Sequence, residues 1–248
     1  FDMIAGVTGT LRSASDEQLQ VLKEFNITRA SFMPSVYVKE DNFKMEQPSI
    51  HTDVQKFRQA IASNAEKRRD RGQPVLVFFK DEKELLAFTD SEYGRKLNAR
   101  VVVERTSAEE KRHLINLSTR SGTVTLFTRS FARGTDFKVF DKNSHEGVHV
   151  LLTFLGESIS EDIQIKGRTA RQGKDGTMSI LLLVDDLLKQ LYKDNPAMII
   201  TDESPFGCLD AQKNPQLYEN ILARRNAIYE EAVKDMKDKM MGLRTDHV

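Results

Sequence analysis

Between residues 73 and 184 the apolar positions gather into short runs separated by longer stretches of helical period. The runs are PVLVFF (74–79), RVVVE (100–104), TVTLFT (123–128), GVHVLLTF (147–154) and TMSILLLV (177–184). Each is nearly continuous rather than alternating, as strands buried on both faces should be. Between them, DEKELLAFTDSEYGRKL, SAEEKRHLINL and SISEDIQIKGRTARQ read as helices. Ser107-x-x-Glu110 and Ser158-x-x-Glu161 fit capping boxes, in which the hydroxyl and the carboxylate each satisfy a backbone N–H of the first turn. Ahead of the first run, HTDVQKFRQAIASNAEKRRDRG sets Val54, Phe57 and Ile61 on one helical face and stops at Gly72. Strand–helix alternation of this kind predicts an α/β fold: a parallel sheet with right-handed crossovers and helices on both faces. The prolines of DNPAMIITDESPFG end that alternation. Beyond them, NPQLYENILARRNAIYEEAVKDMKDKMMG is one long helical pattern with Leu217, Ile221, Ile228, Ala232 and Met236 near one face. A helix packed on its own domain is the expectation there, rather than a free coiled coil.

Composition narrows the function classes. The 248 residues suffice for one large or two small domains with a buried core. Lys+Arg and Asp+Glu are equal at 37 each, so no global field gathers nucleic acid or anionic membrane. Cys208 is the single cysteine, which excludes an internal disulfide framework and fits a reducing compartment. No run approaches the ~20 apolar residues of a membrane helix. The opening FDMIAGVTGT has neither an initiator Met nor the charged start of a signal peptide, and reads as the continuation of a longer chain. The histidines lack metal-ligand spacing with one another or with Cys208, so no metal site is expected.

The most chemistry-laden stretch is KGRTARQGKDG, Lys166 to Gly176. It is not a phosphate-binding P-loop: Gly167 to Gly173 holds one residue too many, and Asp175 stands where a Mg²⁺-binding hydroxyl belongs. If 158–172 is helical, Gln164, Arg168 and Arg171 share one stripe, and two guanidiniums on a rigid helix suit a transferring phosphoryl group. From spacing alone, solvation of an exposed helix is the better explanation of the same arginines. In RSFARGTDF, Gly134 permits a tight turn after Arg133, and Asp136 has the chemistry to accept hydrogen bonds from a ribose hydroxyl. LLLVDD looks like a Walker B strand, but with no P-loop to serve it reads as a buried strand ending in solvated acids. No Ser/His/Asp or Cys/His constellation stands out.

Taken in order, these pieces resemble the second motor half of a superfamily 2 helicase-type ATPase, and among those the SecA preprotein translocase family. IAGVTGT (4–10) resembles AGMTGT, and GQPVLVFF (72–79) resembles GQPVLVGT. TLFTRSFARGTDF is similar to TIATNMAGRGTDI, and EGVHVLLTF with QIKGRTARQGKDG is similar to GLHVIGT with QLRGRSGRQGDAG. Order and spacing hold from residue 4 to about 186. The resemblance implies a RecA-like domain over 13–195, preceded by the end of a first motor domain at 1–12 and followed by a helical extension over 196–248 that looks like the family's helical scaffold. It implies arginine fingers at Arg168 and Arg171, nucleotide contacts at Arg133, Gly134, Asp136 and Gln172, and coupling residues at Thr8 and Thr10. It also implies ATP and Mg²⁺ held mainly by an N-terminal RecA-like domain of the same chain, a polypeptide substrate or membrane translocation machinery as partner, and a cytoplasmic site, peripheral at a membrane. Departures are visible: FLGESISED (154–162) stands where the translocases carry ERHESRRID, FTRSFARG replaces ATNMAGRG, and KGR replaces RGR. An RNA helicase half, or a degenerate interaction module that keeps the fold without turnover, are the alternatives. Lacking a P-loop, the chain alone is expected to have negligible ATPase activity.

Overall fold

The computed structural model describes residues 4–11, 14–33, 42–138, 147–170, 173–192 and 216–245. Within them lie strands β1 (Phe43–Met45), β2 (Ser49–His51), β3 (Val75–Phe79), β4 (Arg100–Val102), β5 (Val124–Thr128), β6 (Val148–Leu152) and β7 (Gly176–Leu183). The helices are α1 (Asp16–Glu24), α2 (Val54–Arg69), α3 (Glu82–Thr89), α4 (Glu92–Leu97), α5 (Ala108–Ser118), α6 (Ile159–Lys166), α7 (Val184–Tyr192) and α8 (Leu217–Thr245), with a 3₁₀ turn at Arg129–Ala132. All strand pairings are parallel, in the order β1-β7-β6-β3-β5-β4, and β2 adds to the far end of β7. This is the parallel sheet with helices on both faces that the strand–helix alternation predicts, and each of the five apolar runs supplies one of its strands.

Alternation along each strand builds two cores. Leu76 and Phe78 of β3 join Phe127, Val150, Leu152 and Ile180 under α5, α6, α7 and the start of α8. Val75, Val77 and Phe79 face the other way and pack with Leu126 and Leu151 under α2, α3 and α4. Phe78 and Phe127 are fully buried, and burial of each stabilises the fold by about 2–3 kcal/mol. Their rings stack 5.6 Å apart, with Phe137 set edge-on to both.

Three elements differ from the sequence reading. The stretch DEKELLAFTDSEYGRKL divides into α3 and α4, because Ser91 caps a new helix by accepting from the Gly94 N–H. Gly94 makes that junction possible: a Cβ there would sit 2.1 Å from the Phe88 carbonyl oxygen. The stretch SISEDIQIKGRTARQ stops being helical at Lys166, with Gly167 as its cap and Ala170 in a left-handed conformation at φ 52°. Arg168 therefore lies beyond the helix, not on a stripe with Gln164. Among the α8 residues whose side chains are described, the buried ones lie in the first turns, at Leu217, Ile221 and Arg225, while Met236 is 64% exposed. Further along, α8 meets α1, where Gln18 donates to the Tyr229 hydroxyl at 3.0 Å and Lys237 bonds Gln20.

A buried polar network fixes the N-terminal strands to the sheet. His149 of β6 meets the Thr177 hydroxyl at 2.7 Å through Nδ1 and Ser179 at 3.2 Å through Nε2. Gln73 donates to Thr177 at 3.0 Å, and Glu46, just after β1, pairs with Arg68 of α2 and accepts from Ser179.

Candidate functional site

Ligands of open parallel sheets sit beyond the carboxyl ends of the strands, where neighbouring strands send the chain to opposite faces. Here β3 leads into α3 on one face, while its neighbours β5 and β6 lead toward the other. At that point opens a cleft of about 680 Å³, lined by Lys80, Asp81 and Glu82 after β3, Glu104 after β4, Arg129, Ser130 and Arg133 after β5, and Glu157 and Glu161 around the start of α6.

The centre of the cleft is an arginine–glutamate clamp. Arg129 donates from Nε to Glu161 Oε1 and from Nη2 to Glu161 Oε2, both at 2.6 Å, and from Nη1 to Glu157 Oε1 at 2.8 Å. Its guanidinium also lies over the Phe154 ring, 5.4 Å from the centroid. Glu161 is almost wholly buried, and its Oε2 takes the Glu157 N–H at 2.8 Å. Burial alone would push this carboxyl up. The Arg129 and Glu157 hydrogen bonds, with the charges of Arg129 and Arg133, reverse that and hold it below the ordinary value. For Arg129 burial pulls down, yet the bonds and charges of Glu161 and Glu157 win and raise it. Across the cleft, Thr128 and Ser130 donate to Glu104 at 2.6 and 2.7 Å. Burial pushes the Glu104 pKa up, but these two bonds, with a backbone bond and the Lys111 charge, outweigh it and hold the carboxyl below its ordinary value.

The residues singled out in the sequence come together only in part. Arg133 lines the cleft half exposed, with Nη2 3.9 Å from Glu161 Oε2. Gly134 follows at φ 71°, in the left-handed region that favours glycine. Asp136 points to Lys138, 3.9 Å away, and does not line the cleft. Arg168 lies behind this loop: its Nε donates to the Ala132 carbonyl at 2.7 Å and its Nη1 to the Thr135 carbonyl at 2.5 Å. It thus grips the backbone on both sides of Arg133 and Gly134. Thr8 and Thr10 hydroxyls are 3.3 Å apart, and Ser160 of α6 donates to Thr10 at 3.0 Å. Arg171 and Gln172 lie outside the described residues.

The first turn of α6 is where these threads meet. Ser160 bonds the N-terminal segment, Glu161 the turn after β5, and Asp162 the buried Arg225 of α8. Ser158 caps the helix as its capping box predicts, accepting from the Glu161 N–H at 3.3 Å. The Glu161 side chain departs from that box, reaching the Glu157 N–H and Arg129 instead of the cap residue's own N–H. Sequence reading missed Arg129, Glu157 and Glu161 as a site. The signal available was that the two segments departing from the resemblance, FTRSFARG and FLGESISED, each gained a charged residue of opposite sign.

Chemically the cleft is mixed. Three cations, Lys80, Arg129 and Arg133, face five carboxylates. Arg129 has its donors committed to Glu161 and Glu157, and Lys80 sits 3.7 Å from Asp186. Arg133 comes within 3.9 Å of Glu161 Oε2, outside hydrogen-bond range, with its side chain half exposed. Such a surface offers a guanidinium to an incoming anion but does not form a phosphate cradle. Among the described residues, no cluster of three metal-binding side chains occurs, and no helix is long and apolar enough to cross a membrane.

No protein-family model matches the sequence. Among curated proteins, the translocase subunit SecA of Halothermothrix orenii is 27% identical over 98% of this chain and 32% of its own length. SecA 2 of Magnetococcus marinus is 29% identical over 80% of this chain and 30% of its own. SecA of Thermosipho africanus is 26% identical over 98% of this chain and 27% of its own. The chain therefore spans about a third or less of the length of these relatives. Among solved structures, the Escherichia coli DEAD-box protein SrmB bound to RraA aligns with 59% of this chain and 82% of that one, at TM-score 0.46 and 20% identity. The Mss116p helicase domain 2 bound to an RNA duplex aligns with 58% of this chain and 55% of that one, at 0.41 and 20%. By its sequence matches the chain is similar to about a third or less of SecA, aligned over nearly its own whole length.

Proposed function

We propose that this chain is the second motor half of a SecA-like ATPase. In this reading it closes on a RecA-like domain elsewhere in the parent protein, and the two complete one ATP site. Arg168 and Arg171 serve as finger arginines, and Arg133, Gly134, Asp136 and Gln172 as nucleotide contacts. Thr8 and Thr10 link nucleotide state to domain closure, and closure moves a polypeptide at or near a membrane, on the cytoplasmic side. ATP phosphates and Mg²⁺ are held by the other domain, since the cleft carries an excess of carboxylates and no P-loop.

The observation that carries this reading is the loop 132–135, gripped from behind by Arg168 and presenting Arg133 into the carboxyl-end cleft. A guanidinium held there ahead of the reaction stabilises charge that grows on a transferring phosphoryl group. Arg168, as it stands, acts through the loop, and reaching a γ-phosphate itself requires it to exchange carbonyl partners for phosphate oxygens on closure. One feature favours the degenerate module: five carboxylates around the cleft oppose a polyanion.

ATP hydrolysis by the full-length parent, with and without Arg171→Ala, decides between them. A fall of ~10³-fold in turnover supports the finger assignment. A parent that does not hydrolyse ATP, or a variant indistinguishable from it, refutes the motor reading and leaves the interaction module.

A further inference from the structure

We infer that Glu161 is a positioning residue for Arg133, through a counter-charge that Arg133 gives up when a phosphate enters the cleft. The inference rests on the motor reading above and adds to it a residue pair, Arg129 and Glu161, with no role there.

Glu161 is the one almost fully buried carboxylate lining the cleft, and burying an ionised carboxylate is costly unless it is paired. Arg129 supplies the pairing through a two-pronged fork, and the Glu157 N–H adds a third bond. A fourth donor, Arg133, stands just outside hydrogen-bond range at 3.9 Å. The two arginines thus differ in what they can do. Arg129 is locked, with Nε, Nη1 and Nη2 each donating to a carboxylate. Arg133 is attracted by the same charge but not bonded to it, and its side chain is 51% exposed.

Backbone geometry reinforces the difference. Arg168 fixes the Ala132 and Thr135 carbonyls, so the peptide that carries Arg133 is held from behind. The clamp joins the turn after β5 to the first turn of α6, fixing the distance between the Arg133 loop and that helix. The Arg133 side chain, half exposed and outside bonding range of Glu161, is left able to turn from that carboxylate into the open cleft. A phosphate at the cleft mouth is a stronger acceptor for that guanidinium than a carboxylate that already accepts three hydrogen bonds. Glu161 therefore keeps Arg133 aimed into the cleft without binding it tightly enough to compete.

The test is a double-mutant cycle on ATP hydrolysis by the full-length parent, using Glu161→Gln, Arg133→Ala and the two combined. Glu161→Gln preserves shape and one acceptor but removes the charge. It is expected to lower kcat/KM about tenfold or more in the wild-type background, as misplacement of a reacting group does. In the Arg133→Ala background it is expected to change nothing, because its effect passes through Arg133. Equal losses in both backgrounds, the signature of a general structural defect, overturn the inference, as does no loss in either. If Glu161→Gln does not fold, Arg129→Lys keeps the charge but breaks the fork, and the same cycle applies with the same expected outcomes. A parent without ATP turnover overturns the motor reading and this inference together, whereas turnover with an additive cycle overturns the inference alone.

Discussion

His149 should make the fold acid-sensitive by a calculable amount. It is fully buried on β6, and burial, with the Arg68 charge as a second cause, pushes its pKa down to about 3. In the unfolded chain the imidazole titrates near 6.5. Between those values the unfolded state binds the proton and the folded state does not, so stability is full above the unfolded value and falls as pH drops below it. At about pH 5 the window already crossed is roughly 1.5 units, worth about 2 kcal/mol. His149→Gln retains a hydrogen-bonding side chain between Thr177 and Ser179 but cannot titrate. Urea unfolding of both proteins at about pH 7.5 and about pH 5 measures the difference. The variant is expected to be the less stable at the higher pH, through lost packing, and to gain about 2 kcal/mol relative to wild type at the lower. A stability gap constant to within about 0.5 kcal/mol between the two conditions would refute the reasoning, because the folded and unfolded states would then hold the imidazole proton alike.

Two further outcomes follow from the same arithmetic of burial and charge. Arg225 is 3% exposed and pairs with Asp162, whose pKa is raised chiefly by burial, so Arg225→Met should destabilise the chain by about 2–3 kcal/mol. Adding Asp162→Asn should restore part of that loss in thermal unfolding, since a neutral amide buries more easily than an unpaired carboxylate. Glu84 has a pKa raised to about 7, mainly by burial and secondarily by Asp186. Its stabilising contribution is present below the unfolded value of 4.5 and is lost as pH rises through about 7. Glu84→Gln should therefore melt higher than wild type near pH 8 and no higher near pH 4, as read by the midpoint of thermal unfolding.

How far the sequence carried varied with the physics of each element. The strands of the sheet centre were visible because burial on both faces demands unbroken apolar runs, as VLVFF and VHVLL show. Strands β1 and β2 were not, because FKM and SIH are too short for periodicity and owe their conformation to pairing with β7. Helix α1 escapes a sequence reading although Ser15 and Gln18 form a complete capping box, since it is only nine residues long with few apolar positions, Leu19, Val21 and Leu22, and none of its residues is buried. At the site, Arg133 and Gly134 could be found because a loop after a buried strand is a place with known geometry. The clamp could not: Arg129 and Glu161 are 32 positions apart, and only the crossover that brings the end of β5 beside α6 makes them partners. Local spacing encodes what one element does, whereas ion pairs between elements are set by topology.

Successive side chains on an α-helix point about 100° apart, so Ser160, Glu161 and Asp162 fan around most of the circumference of α6. Each is lashed to a different element, the first to the N-terminal segment, the second to the turn after β5, the third to α8. A cylinder moored on three sides can ride with its moorings but cannot spin. Rolling α6 by even one residue's angle would break all three attachments at once and leave the Glu161 carboxylate buried without its partner. Any motion transmitted through this helix must then be a shift of the whole junction, carrying the leading segment and the long C-terminal helix in step.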